Sequence, residues 1–349
     1  MTANSLRAVR RALHGALLLM LGPLLGACGE EVELPPAAPL RVDEAVIAQL
    51  PAVLPGPHRV ARALDSSLPA EVERRELAFN LYYPEDGGGY PLLLFSHGNW
   101  SDKDSYDLVI EHWVSHGYAV IAPDHLDCCS AVQGIFNSLR YGQLGLIEGR
   151  VADLRRLLAA LPDIQRLHPA FAGKFDAARL GLAGHSFGAF TAQQFGGAMA
   201  YDPDAEQFLP VQAPLVGAIV ALSPPGPMFT TITAGSWEAL AAPTLVTTGT
   251  WDIQPRFWPD WRLHLLSYET ARPGDKYALV TRGADHYLGN LICRPERQEP
   301  PQVDALRMLQ VVTTAFLDAY LKGDTDAMRF LASDELTTLT AGFSTLMRR

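Results

Sequence analysis

From residue 76 onward the apolar positions repeat with two alternating periods. Residues 77–83 alternate as a half-buried strand does, and 84–90 read as a turn. Residues 92–96 are a continuous apolar run, the pattern of a strand buried on both faces. Helical spacing over 106–116 stops at Gly117, and a second buried run, 118–122, ends at Pro123. A helix is predicted over 146–161, striped by Leu154, Leu157, Leu158 and Leu161. Further apolar runs at 179–183, 216–222, 243–247 and 276–281 predict strands. Helices are predicted over 189–194 and 303–321, the second with Leu309, Val312, Phe316 and Ala319 on one face. Residues 324–349 read as one or two short helices.

Strands that alternate with helices predict an α/β domain, with a mostly parallel central sheet and helices on both faces. It is expected to fill 76–349. Residues 37–75, with Pro51, Pro55 and Pro57, show only irregular chain, so 28–75 is taken as tether and N-terminal extension. Three stretches, 125–145, 198–214 and 225–241, read as loops. Ligands of parallel sheets bind at the carboxyl ends of the strands, so these loops should border a site.

Composition changes this picture little. The 349 residues suffice for a large core, and 48% apolar content argues against long disordered tracts. The formal net charge of −10 makes nucleic acid an unexpected partner. The first residues matter more. Arg7, Arg10 and Arg11 precede an apolar stretch, 12–25, too short for a good membrane span. It ends Leu25-Gly26-Ala27-Cys28, which resembles a bacterial lipobox. The resemblance implies a signal peptide over 1–27, cleavage before Cys28, and acylation of that sulfur. Cleavage removes three Arg and no acidic residue, taking the charge from −10 to −13. Export would place the protein in the cell envelope, at the outer membrane or periplasmic face, tethered through Cys28. An oxidising compartment favours disulfides, and Cys128, Cys129 and Cys293 remain. Cys293 is expected to pair with Cys128 or Cys129, across loops at one end of the sheet. No cysteine or histidine spacing predicts a metal site.

The chemistry is concentrated in Gly184-His185-Ser186-Phe187-Gly188, a G-x-S-x-G between a predicted strand and a predicted helix. That context makes a nucleophile elbow, a sharp turn that leaves the serine hydroxyl free above the sheet. Serine needs a histidine base, and the base needs a carboxylate to fix its tautomer. Asp252 follows the strand near 243–247, and His286 follows the last strand, in the order Ser, Asp, His. Asp285 and Asp260 are weaker choices of acid, and His125 is the competing base. His97 is expected to prop the loop 96–100, His185 to pack beneath the elbow, and His264 to be a surface or packing residue. Two backbone donors should hold an oxyanion: Phe187 N–H and Asn99 N–H, with Trp100 the alternative to Asn99. Trp100 and Trp251 flank this region, and Phe187, Phe229 and Trp237 are further candidates for an apolar wall.

Phe95-Ser-His-Gly98, the stretch from Gly117 to His125, and Gly184 to Ala189 together resemble the dienelactone-hydrolase-like branch of the α/β-hydrolases. The nearer likeness is to the platelet-activating-factor acetylhydrolase group, over residues 76–325. The resemblance implies an α/β-hydrolase fold and hydrolysis of carboxylic esters without a cofactor. Dienelactone hydrolases use a cysteine nucleophile where this chain has Ser186, so dienelactone activity is not expected. The substrate would be a small-molecule or lipid-like ester. A serine peptidase or acyltransferase would use the same triad, and amide substrates would separate it. A non-catalytic envelope binding protein on the same scaffold is a third reading, which labelling by a fluorophosphonate would exclude.

Overall fold

The computed structural model describes residues 39–70, 75–212, 216–255, 257–294 and 300–349. The expected signal segment and Cys28 lie outside the described residues.

The six apolar runs become six parallel strands. In chain order the elements are α1 Glu44–Ile47, β1 Val60–Leu68, β2 Leu77–Pro84, β3 Tyr90–Ser96, α2 Asp107–Ser115, β4 Ala119–Pro123 and α3 Ala131–Ala159. There follow α4 Leu161–Leu167, β5 Phe175–His185, α5 Phe187–Gln194, β6 Ala200–Asp202, β7 Gln207–Leu209, β8 Ala218–Leu222 and β9 Thr244–Trp251. Last come α6 Leu266–Thr270, β10 Lys276–Asp285, α7 Val303–Leu317, α8 Thr325–Leu331, α9 Glu335–Leu339 and β11 Ser344–Arg348. One nine-stranded sheet has the order β1-β2-β4-β3-β5-β8-β9-β10-β11. The strands from β4 to β10 in that order pair in parallel, while β1, β2 and β11 form antiparallel edges. This is the α/β-hydrolase fold.

The strand period of two sorts side chains into two cores. Leu93, Phe95 and Val120 join Trp113 of α2 and Val312 and Phe316 of α7 on one face. Leu92, Leu94 and Ile121 join Leu146, Leu154 and Leu157 of α3 and Phe190 of α5 on the other. Trp113 Nε1 donates to Thr313 Oγ1 at 2.9 Å, which ties α2 to α7.

The structure departs from the sequence pattern in four places, one of them the short antiparallel hairpin of β6 and β7 inside 198–214, read as loop. Residues 131–141, read as loop, are helical, and join the expected helix at Gly142, whose φ of 68° and ψ of 170° break the helical geometry. Val132, Ile135, Phe136 and Leu139 do have helical spacing, but their stripe faces outward: Val132 is 81% exposed and Phe136 61%. Residues 60–68 form an antiparallel edge strand, with a bulge that interrupts its alternation. In 324–349, read as one or two short helices, two helices are followed by 344–348, which closes the other edge beside β10.

Candidate active site

β5 ends at His185 and α5 begins at Phe187, so Ser186 alone makes the turn. Its φ of 52° and ψ of −121° lie where non-glycine residues rarely sit, a cost of about 1–3 kcal/mol held by the surrounding structure. Ser186 N–H donates to Leu222 O at 2.9 Å, fixing the turn on β8. Gly188 explains the motif's second glycine. A Cβ there would overlap the carbonyl oxygens of Ser96 and His97, because α5 packs directly on the end of β3.

Asp252 follows β9 and His286 follows β10, neighbouring parallel strands. His286 Nδ1 donates to Asp252 Oδ1 at 2.7 Å, and Asp252 is fully buried. With Nδ1 carrying that proton, Nε2 is the nitrogen left to accept one. Thr248 Oγ1 donates to Asp252 Oδ2 at 3.0 Å. Asp285, the other candidate acid, accepts instead from the N–H groups of Tyr287 and Gly289 and shapes the loop that carries His286. Asp260 caps a short turn through Arg262 N–H.

Among the described residues no hydrogen bond joins Ser186 Oγ to His286, but their neighbours meet. His185 Nε2 donates to His286 O at 2.9 Å, and the two rings are 4.7 Å apart. His185 Nδ1 then accepts from Tyr106 O–H at 3.0 Å, and Tyr106 Oη accepts from Gly98 N–H at 2.9 Å. One buried chain of bonds thus links the loop after β3, the turn at Ser186 and the loop of His286. Burial holds the His185 imidazole well below its ordinary range, so it stays neutral, as this pattern requires.

The loop after β3 is held from beneath by Arg150 of α3. Its guanidinium forks onto Asp127, with Nε to Oδ1 at 3.0 Å and Nη2 to Oδ2 at 2.7 Å, both side chains fully buried. Nη1 also donates to His97 O at 2.6 Å and Nη2 to Gly98 O at 3.2 Å. In a trans peptide the carbonyl and the following N–H point opposite ways. Pulling Gly98 O inward therefore turns Asn99 N–H outward, while Gly98 N–H is spent on Tyr106. Among the described residues neither Asn99 N–H nor Phe187 N–H has a partner. The Phe187 ring lies over Arg150, 4.8 Å from its guanidinium carbon. Sequence reasoning missed Arg150 and Asp127, whose charges look like ordinary solvated positions.

His97 props the loop as expected: Nδ1 donates to Gly98 O at 2.7 Å, and Nε2 accepts from His125 N–H at 2.9 Å. His125, the competing base, joins a second serine–histidine–aspartate string. Ser96 Oγ lies 2.9 Å from its Nε2 and Asp153 Oδ2 3.0 Å from its Nδ1. Ser96 is fully buried and accepts from Arg150 Nη1, so no substrate reaches it.

Two expectations are corrected and one is narrowed. His264, read as a surface or packing residue, is fully buried, with Nε2 3.0 Å from Asp252 Oδ1. The bridge joins Cys128 to Cys129, and Cys293 is free. The two loops do meet, since Ser101 O accepts from Cys129 N–H and Ser101 Oγ donates to Cys293 O. Adjacent cysteines consume one another, and the Cys293 thiol stays packed beside Gly98. The second correction concerns the aromatics. Trp258, not Trp251, lies against His286, its ring 5.9 Å away, and Phe257 and Phe229 continue from it toward solvent. Trp251 is a strand residue opposite Asp285. Trp100 lies beside Gly134 of α3, and its side chain is 40% exposed. Trp237 is core, donating to Gln193 Oε1 at 2.9 Å.

Ligating atoms of Asp252, His264 and His286 lie within 4.8 Å of one another, as do those of Asp124, Cys128 and Cys129. The first set is joined by N–H···O bonds, and the sulfurs of the second are joined to each other.

The family model for Chlorophyllase, an α/β-hydrolase-type family, matches residues 67–205. That span carries the loop 96–100, Arg150 and the elbow, and stops short of Asp252 and His286. No curated protein matches the chain.

Proposed function

We propose that the protein is a serine carboxylesterase. Ser186 Oγ attacks the ester carbonyl while His286 Nε2 takes its proton, and Asp252 holds the imidazole in the tautomer that leaves Nε2 free. Phe187 N–H and Asn99 N–H receive the charge that develops on the carbonyl oxygen. His286 returns the proton to the departing alkoxide, leaving an acyl group on Ser186. Water, deprotonated by His286, releases the acid. The observation that carries this reading is the 2.7 Å bond from His286 to Asp252, on adjacent strand ends and joined to the elbow through His185. The similarity to Chlorophyllase supports ester hydrolysis, and its name makes chlorophyll the first ester to screen. The dienelactone-hydrolase-like and acetylhydrolase-like subfamily remains part of this proposal, as do export and the lipid tether at Cys28. Metabolic labelling with a radioactive fatty acid, lost in Cys28→Ala, tests the tether.

Turnover of p-nitrophenyl butyrate tests the chemistry. Ser186→Ala should lower kcat by about 10⁴-fold or more. Unchanged turnover in that variant would rule the reading out.

A further inference from the structure

We propose that His264 is a standing imidazolium that positions the catalytic carboxylate, an inference that rests on the esterase reading of the same site. Its two ring nitrogens face three oxygens. Nδ1 lies 2.6 Å from Pro224 O, and Nε2 lies 3.0 Å from Asp252 Oδ1 and 3.1 Å from Asp252 O. None of those oxygens carries a proton to give. A neutral imidazole has one donor and one acceptor nitrogen, so a neutral His264 would aim a lone pair at an oxygen. The ring is fully buried, and no water exchange relieves that repulsion. The doubly protonated ring donates at both ends.

Among the described residues the ionisable groups that face it are Asp252, His286 and His185; Trp258 covers it from the side, ring to ring at 4.9 Å. Burial alone would push the His264 imidazole down, but the Asp252 charge and the bonds to Asp252 and Pro224 outweigh it and raise it. The same pairing, with His286, holds the Asp252 carboxyl well below the usual carboxylate range despite its burial.

One consequence follows for the site. Asp252 Oδ1 receives two N–H donors and Oδ2 receives Thr248, so the carboxylate cannot rotate away from His286. The His264 and His286 rings, 5.7 Å apart, thus share one fixed carboxylate.

Nitrogen NMR of the intact protein, followed by kinetics of two variants, tests this. At pH 7 both ring nitrogens of His264 should carry protons; a single protonated nitrogen would overturn the proposal. His264→Gln, which keeps an N–H donor for Asp252 but loses the charge, should leave KM unchanged and lower kcat by less than about tenfold. His264→Leu, which removes the donor as well, should lower kcat by about 10²-fold at unchanged KM. Equal kcat in folded Gln and Leu variants would overturn the positioning role. If the Gln variant fails to fold, the NMR result still decides the charge state. If the wild-type protein hydrolyses no ester, the esterase reading fails while the protonation of His264 is still measured.

Discussion

Arg150 performs two jobs with one side chain: it neutralises Asp127 and it holds the carbonyls of His97 and Gly98. These jobs separate by mutation. Arg150→Met leaves the Asp127 carboxylate buried and unpaired, and should cost about 3–5 kcal/mol in urea denaturation. Adding Asp127→Leu should recover most of that stability. It should not recover kcat, which depends on Asn99 N–H facing outward and should stay about 10²-fold down. Full recovery of kcat in the double variant would contradict the assignment of the loop to Arg150. At this scale the sequence speaks where a residue type has one chemical use in one context. Ser186, Asp252 and His286 are proposed from chain order, and the structure brings the last two into a 2.7 Å bond. The sequence is a poor guide for Arg150, Asp127 and His264, because a charge that will be buried looks, in a string of letters, like one that will be solvated. Only the spatial meeting of α3 with β3, and of two loops after β9 and β10, distinguishes them.

Among the elements, α3 divides into halves of opposite character. Its second half buries Leu146, Leu154 and Leu157, while its first half exposes Val132, Phe136 and Leu139. Leu154→Ala should therefore cost about 2–5 kcal/mol, as a cavity in a packed core does. Phe136→Gln should change stability by no more than about 0.5 kcal/mol. Chemical denaturation of both variants checks the contrast, and a large loss from Phe136→Gln would mean that this stripe is covered. The outward stripe also explains why 131–141 reads as loop. Gly134, Asn137 and Gly142 interrupt its pattern, and its apolar positions have no polar face set against a core. The parallel strands were legible because burial on both faces leaves unbroken apolar runs; β1 and β11, half-exposed edges, leave no such mark.

The whole molecule should be acid-sensitive. Burial pushes His97, His125 and His185 well below their ordinary range and His112 down to about 4. The unfolded chain protonates these rings near pH 6.5, so between 6.5 and 4 it binds more protons than the folded one. Stability must then fall as pH drops through that window. Asp153 acts in the opposite sense: burial raises it to about 6, so the folded state binds its proton first and gains relative stability as pH falls below 6. His264, raised above its ordinary value, contributes stability below pH 6.5 that is lost as pH rises through its folded value. Near pH 5 His264 is charged in both states and adds no slope, so four histidines against Asp153 leave about three protons, and the net slope should be on the order of 4 kcal/mol per pH unit. Urea midpoints at pH 7 and pH 5 test it; an equal or higher midpoint at pH 5 would contradict the buried neutral histidines.

The most direct test of the account is where a fluorophosphonate attaches. The activated hydroxyl should react at neutral pH, and mass spectrometry of the digested protein should find one phosphonylated peptide, with the adduct on Ser186. Labelling should disappear in His286→Ala, which removes the base. An unlabelled protein, or an adduct on any other residue, would contradict the proposal that Ser186 is the nucleophile of a serine hydrolase.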